Sequence, residues 1–348
     1  PMMVVRGDGA LMSAAQARAR PIETILSGPA ASIVGARWMT GAENALVSDI
    51  GGTTTDVALI ERGLPKIDPD GAQVGGFRTM VEAVAMRTSG LGGDSQVHLK
   101  SEGLRGGVSL GPRRVLPVSL VATEAPEVVH AALDAQLHAP VVGEYDGRFV
   151  RGVVGQAAMG LSEREAALLA RIGTSVLPMG DVLRTRMEQG ALNRLVDRGL
   201  VQVAGITPSD ASHVLGRVAA WDRGAAEKAL TIFARRRVGS GDAVVRDAEA
   251  LALMIVDQLT EQTSLTLLES IFTEEQALFG GRPSELARHI LLQRGLQGHK
   301  SLLSIDAHVN VDVMRVHMLN MHLDAKVHIY WSDGAAAGSA GSGIPVSL

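Results

Sequence analysis

The chain has 348 residues, 46% of them apolar, which is enough to bury one large core or two to three smaller ones. A formal net charge of −4 gives no global basic footprint for nucleic acid, and no apolar run reaches the roughly 18 residues that a membrane span needs. With no cysteine, disulfides, thiolate nucleophiles and Cys-ligated zinc are excluded. The first ten residues hold no basic segment followed by an apolar one, so the expected compartment is the cytoplasm.

In chain order, residues 2–5 read as a short strand, Arg6-Gly7-Asp8-Gly9 as a turn, and 11–20 as a short polar helix. Arg6 and Asp8 suit an exposed turn or the edge of a site. Glu23 either caps the next helix or faces a cleft. That helix is expected from Ser27, a candidate cap with Pro29 in the first turn, through a run of small residues to Trp38.

Residues 46–60 carry the sharpest local signal. Two apolar runs of strand length flank Gly51-Gly52-Thr53-Thr54, which predicts a tight hairpin with bare backbone at its tip. Such a tip can wrap a phosphate, because glycines let an anion approach successive backbone N–H groups and Thr53, Thr54 and Thr55 add hydroxyl donors. Asp49 and Asp56 bracket the turn. Two carboxylates would repel a phosphate-sized anion unless a hard cation lay between them, which implies Mg²⁺ held through water. The alternative is a plain Gly-rich hairpin whose aspartates cap their own turn.

Arg62-Gly63-Leu64-Pro65 makes a second turn, with a third strand after it. In the stretch from Arg87 to Ser95, Gly92 and Gly93 offer unobstructed N–H groups, Asp94 can approach a metal or a ribose hydroxyl, and Arg87 can answer phosphate charge. A Gly-rich turn opening a strand or helix is the competing reading. Residues 103–120, with Arg105, Arg113 and Arg114 and alternating apolar positions from Val115, predict a surface hairpin. A helix is expected over 126–137.

From 161 to 203 the chain changes character. Ser162 and Glu165 form a capping-box pattern, helices are expected at 163–172, 182–189 and 192–198, and a strand follows Gly199. Three short helices and a strand suggest a winged-helix-like insert. Its arginines, Arg184, Arg186, Arg194 and Arg198, are offset by Glu163, Glu165, Asp181, Glu188 and Asp197, which favours a packing module over DNA binding. Asp210, three residues after Thr207, can cap a helix or point at a cleft, and His213 shares its helical face. Helices over 224–237 and 242–272, strands at 301–305 and 327–331, and a Gly/Ala-rich helix from Asp333 to Gly341 complete the order. His299, His308, His317, His322 and His328 show no i, i+4 pair of the zinc type.

The small-residue helix leading into Asp-x-Gly-Gly-Thr-x-x-Asp resembles the connecting helix and second phosphate loop of the actin-like ATPase superfamily. Within it, Arg6-Gly7-Asp8-Gly9, the stretch from Pro21 to Ala30, and Asp49 to Asp56 resemble the hydantoinase/oxoprolinase family. A Gly-rich loop around Gly92 and a Thr-Asp-Ala-x-x-Val-Leu-Gly-like segment around Asp210 match the same family.

The resemblance implies an α/β fold: a ribonuclease H-like half with a central mixed sheet flanked by helices, and the insert. It divides the chain into 1–125, 126–205 and 206–348. The implied activity is ATP-dependent hydrolysis of a cyclic amide of the hydantoin or 5-oxoproline type. Asp49, Asp56 and Asp210 would be its catalytic residues. Gly51, Gly52, Thr53, Thr54, Thr55, Gly92, Gly93 and Asp94 would hold ATP, with Asp49 on Mg²⁺. The family carries an earlier Asp-x-Gly-Gly-Thr loop with no second copy here, so a C-terminal piece partnered by an N-terminal half is expected. A second hydantoinase subunit and a homo-oligomer are compatible with it; nucleic acid and membrane are not indicated. Asp306-Ala307-His308-Val309-Asn310 departs from the Gly-rich turn expected under adenine. An ATP-dependent ketone carboxylase subunit and a non-catalytic assembly module share the same motifs.

Overall fold

The computed structural model describes residues 2–74, 77–100, 106–156, 158–274, 303–306, 315–318 and 326–330. The position of Arg105, residues 307–310 and the expected helix from Asp333 to Gly341 lie outside them. The fold is mixed α/β and forms two compact units, one of Pro1–Gly92 with Thr260–Leu348, the other of Gly93–Leu259. No described helix is long and apolar enough to cross a membrane.

The first unit is built on a mixed sheet. Its strands run in the order Met86–Ser89, Thr55–Glu61, Ala45–Ile50, Lys326–Tyr330, and Leu64–Pro65 pairs with Thr55–Glu61. The first three are antiparallel, while Lys326–Tyr330 lies parallel to Ala45–Ile50. Alternation puts Ala45, Val47, Ala58 and Ile60 on one face, where they pack on Ala30, Ile33 and Ala36 of the helix Ser27–Thr40. Burial of that apolar face holds the helix on the sheet.

Two expectations shift in this unit. Ser27 is the first helical residue and not the cap; Leu26 precedes it in the left-handed region, at φ 61°, with no side-chain cap. Residues 11–20 divide into the strand Leu11–Ser13, paired with Met3–Val5, and the helix Ala14–Ala19, because Ser13 and Gln16 close a capping box. Farther on, Asp306 ends the strand Leu303–Asp306, opposite Arg315 of Arg315–Met318.

In the second unit the hairpin is Ser95–Lys100 with Gly107–Arg114. Residues 115–121 do not continue it. Leu116–Pro117 is a short strand and Val118–Glu124 a helix, because the Asp210 carboxylate accepts from Val118 N–H at 3.2 Å and Ser119 N–H at 2.8 Å. The helix Pro126–His138 follows as expected.

The insert keeps two of its three expected helices and the strand after Gly199, and adds two further strands. Phe149–Gly152 lies between Val201–Gly205 and Leu177–Pro178, which with Leu116–Pro117 makes a four-stranded sheet. Leu168, Ile172, Leu192 and Leu195 pack with Val150 and Val201 into one core. The helix expected at 182–189 is instead one turn, Met179–Val182; the next helix starts at Glu188, whose carboxylate accepts the Arg184 and Thr185 N–H groups and ends any earlier register. Ser162 and Glu165 form the expected capping box. The long helix Ala248–Glu274 starts later than residue 242, and the helix Arg223–Ala234 is capped by Asp222.

Candidate functional site

Ala45–Ile50 and Thr55–Glu61 pair from Ala45↔Ile60 to Ile50↔Thr55, leaving 51–54 as the hairpin tip. Gly51 N–H closes it on the Thr54 carbonyl at 2.9 Å. This register sets Asp49 directly opposite Asp56, and Thr88 of the neighbouring strand opposite Asp56 on the other side. The row Asp49, Asp56, Thr88 shares its face with Val47 and Ala58, the face covered by the helix Ser27–Thr40. Arg87 pairs with Val57 and so projects from the opposite face, away from the two carboxylates.

Each carboxylate has its own hydroxyl partner. Asp56 is 7% exposed; its Oδ1 accepts from Thr88 Oγ1 at 2.5 Å and its Oδ2 from Thr54 Oγ1 at 3.2 Å. Asp49, half-buried, is hydrogen-bonded by Ser32 of the covering helix. Burial pushes the Asp49 pKa above its ordinary value; the Ser32 hydrogen bond opposes this and the Asp56 charge adds to it. Ser32 and Thr88 are the residues that sequence reasoning missed. The signal for Thr88 was its place in the third antiparallel strand, and for Ser32 a lone hydroxyl among the small residues of the helix.

The tip and Gly92 form one piece of structure. A Cβ on Gly92 would lie 2.4 Å from the Gly51 carbonyl oxygen and 2.6 Å from that of Gly52, so only glycine fits. Thr55 Oγ1, fully buried, donates to the Leu91 carbonyl at 2.8 Å. Its hydroxyl therefore ties the 90–92 loop to the tip and is not turned towards a ligand, contrary to its expected phosphate role. Thr54 is engaged with Asp56, while Thr53 is exposed. Among the described residues, the Gly52 and Thr53 N–H groups have no acceptor. The tip thus presents two backbone donors beside two carboxylates, a set that suits an oxyanion together with a cation.

Among the described residues no group of three His, Asp or Glu side chains could hold a metal ion directly. Two facing carboxylates fit an ion that keeps most of its water, as Mg²⁺ does, and do not fit a fully chelated one.

The remaining expected site residues lie in the second unit and are held by their own neighbours. The Gly93 carbonyl accepts Ser209 N–H and Oγ, both at 2.9 Å. Asp94 Oδ2 accepts Arg114 Nε at 3.2 Å and Nη2 at 3.0 Å; burial raises its pKa and Arg114 opposes the rise. Asp210 is fully buried. Its Oδ1 accepts Ser119 N–H and, at 2.6 Å, Ser119 Oγ, while Oδ2 accepts Val118 N–H, Thr207 N–H and Thr207 Oγ1. One carboxylate therefore closes the capping box of its own helix, Pro208–Val214, and also accepts the Val118 and Ser119 N–H groups that open the helix Val118–Glu124 and have no acceptor within it. His213 is also buried: its Nδ1 meets the Ser209 carbonyl at 2.8 Å, Trp221 N–H donates to Nε2 at 3.1 Å, and the Trp221 ring stacks on it. The geometry gives Asp210 and His213 a packing role.

The other family-like stretches meet around Gly7. Its N–H donates to the Glu23 carbonyl at 2.9 Å, Arg6 pairs with Asp8 at 3.1 Å, and Glu23 pairs with Arg20 at 3.3 Å. A Cβ on Gly7 would lie 2.4 Å from the Ile25 carbonyl oxygen, so this turn depends on glycine to sit against the 21–25 segment.

Compared with known proteins, the chain matches the family model described as hydantoinase/oxoprolinase over residues 1–222. The acetone carboxylase beta subunit of Xanthobacter autotrophicus (strain ATCC BAA-1158 / Py2) is 41% identical over 81 residues, 22% of this chain and 11% of that protein. A nucleotide-free acetone carboxylase structure aligns at 19% identity over 80% of this chain, with a TM-score of 0.35. The chain spans 11% of the length of the first and 28% of that of the second.

Proposed function

The chain belongs to the hydantoinase/oxoprolinase family, and on that basis we propose that it is the nucleotide-binding half of an ATP-dependent cyclic amide hydrolase, built on an actin-like ATPase plan. The observation that carries this reading is the Asp49–Asp56 pair beside the bare Gly52 and Thr53 N–H groups, with Gly92 packed behind the tip. Asp49 would hold Mg²⁺ through water, and the tip N–H groups would take the phosphates. Asp56, its two oxygens fixed by Thr54 and Thr88, would orient the attacking atom.

The substrate class is taken from the family, and its chemistry accounts for the need for ATP. A five-membered lactam or imide resists water because the amide is resonance-stabilised and an amine leaves poorly. Bound Mg·ATP would supply a phosphoryl group to the ring carbonyl oxygen, removing that resonance. Asp94 and Asp210 have no part in this proposal, since Arg114 holds one and two helix starts hold the other.

A second reading, an ATP-dependent ketone carboxylase subunit, is favoured by the identity shared with the acetone carboxylase beta subunit. ADP release should be measured for the gene's full reading frame with hydantoin, with 5-oxoproline, and with acetone plus bicarbonate. Stimulation by a ring amide, lost in Asp49→Asn, supports the hydrolase. Stimulation by ketone and bicarbonate alone moves the assignment to the carboxylase, and no Mg·ATP turnover with either class contradicts both.

A further inference from the structure

Within the second unit, a cavity of about 640 Å³ lies beyond the end of the helix Arg223–Ala234. Three consecutive arginines line it, Arg235, Arg236 and Arg237, together with the apolar Leu99, Pro140, Val141 and Val142. Backbone carbonyls fix all three guanidinium groups. Arg235 donates to the Leu137 and Ala139 carbonyls at 2.8 and 2.6 Å, Arg236 to those of Gly143, Glu144 and Asp146, and Arg237 to that of Gly241 at 2.6 Å. Arg236 also lies over the Phe233 ring, 5.2 Å from its centroid.

These contacts orient the charges without neutralising them. Among the described residues, none of the three arginines has a carboxylate oxygen within 4.0 Å. Among the described residues the buried Arg236 Nε has no acceptor. Arg148, which among the described residues makes no ion pair within 4.0 Å, is close enough to Arg236 for the two charges to repel. Glu144 and Asp242 also line the cavity; Glu144 reaches Arg186 at 3.8 Å and Asp242, which accepts Ser240 Oγ at 2.9 Å, keeps its negative charge, so the lining holds three arginines against two carboxylates. Arg236 feels the Asp146 and Glu144 charges through space as well as that of Arg148, so these guanidinium groups are compensated only at a distance, and several together in one lining favour an anion.

We propose that this cavity binds a small organic carboxylate with a short hydrocarbon body, its charge against the 235–237 corner and its carbons on Leu99 and the 140–142 wall. The volume is that of a small-molecule pocket, and the pairing of one cationic corner with one apolar wall selects for both parts of such a ligand. This site lies wholly in the second unit and does not depend on the nucleotide reading of the hairpin.

Isothermal titration of the chain with hexanoate, hexanol and inorganic phosphate tests it. Hexanoate should bind at least about tenfold more tightly than either hexanol or phosphate. Two variants complete the test. Val141→Trp fills the cavity from a side chain that is 76% exposed, so it should abolish hexanoate binding while leaving the melting temperature unchanged. Arg237→Gln keeps hydrogen-bond donors but removes a charge, and should weaken hexanoate about tenfold. Equal affinity for hexanoate and hexanol, hexanoate no tighter than phosphate, or unchanged binding in both variants overturns the proposal.

Discussion

Asp49 and Asp56 face each other across adjacent antiparallel strands, each carboxylate held by a hydroxyl from a different neighbouring element. Like charges in that register destabilise a sheet by up to about 1 kcal/mol, so the pair costs the empty protein something that a bound cation would return.

Replacing Asp49 by Asn removes the repulsion and keeps a partner for Ser32. Without Mg²⁺ at neutral pH, Asp49→Asn should raise unfolding stability by about 0.5–1 kcal/mol in urea titration. The pH dependence has a definite sign. Asp49 has a native pKa above 3.8, so the native state holds its proton longer than the unfolded chain does. The stability of the wild type relative to Asp49→Asn is therefore greatest below pH 3.8 and is lost as pH rises through the native pKa. A relative stability that climbs with pH would show that Asp49 is stabilised as a carboxylate in the absence of metal.

Glu165 behaves in the opposite way. The Arg194 hydrogen bond, at 2.5 Å, and those from Ser162 N–H and Oγ hold its pKa down to about 2, against 4.5 for an ordinary glutamate. Its contribution is present above pH 4.5 and is lost as pH falls towards 2. Glu165→Gln should flatten the acid limb of the stability curve in that window. An identical acid limb in wild type and variant would show that the capping box and the Arg194 contact do not stabilise the carboxylate.

Gly92→Ala places a methyl group into two carbonyl oxygens of the tip. The tip must shift, at about 1–3 kcal/mol of stability. Hydrogen exchange at the Gly51 N–H, which closes the tip on the Thr54 carbonyl, should quicken in the variant while the core strands stay protected. A variant as stable as the parent, with unchanged exchange, would mean that Gly92 does not brace the tip.

Asp210→Ala leaves Val118, Ser119 and Thr207 donors without an acceptor at a fully buried position. Each such group costs about 1–3 kcal/mol, so the loss should exceed about 3 kcal/mol in chemical denaturation. A catalytic aspartate with no structural duty would leave stability nearly unchanged.

What could be read from the chain, and what could not, follows from the range of the forces involved. The hairpin and its bracketing aspartates are local: alternation, a Gly-Gly tip and two acids decide them within a dozen residues. The helix Ser27–Thr40 was legible from its small residues, but its first turn was not, since Leu26 adopts a left-handed conformation that leucine rarely takes. The alternation from Val115 predicts a hairpin arm where the helix Val118–Glu124 forms, because that helix's N–H groups are accepted by Asp210, some 91 residues away. Thr55 reads as a phosphate ligand from its place beside a Gly-Gly-Thr-Thr tip; only the Leu91 carbonyl, 36 residues away, shows where its hydroxyl goes. Asp94 likewise met its partner, Arg114, across a hairpin whose register the sequence did not fix.

Calorimetric titration of Mg·ATP into wild type and Asp49→Asn, each repeated in EDTA, tests most directly the proposal that the hairpin is a magnesium-dependent nucleotide grip. Binding heat in the wild type should vanish with EDTA and the affinity should fall at least about tenfold in the variant. Equal affinities in the two proteins, or wild-type binding that persists without the metal, would contradict it.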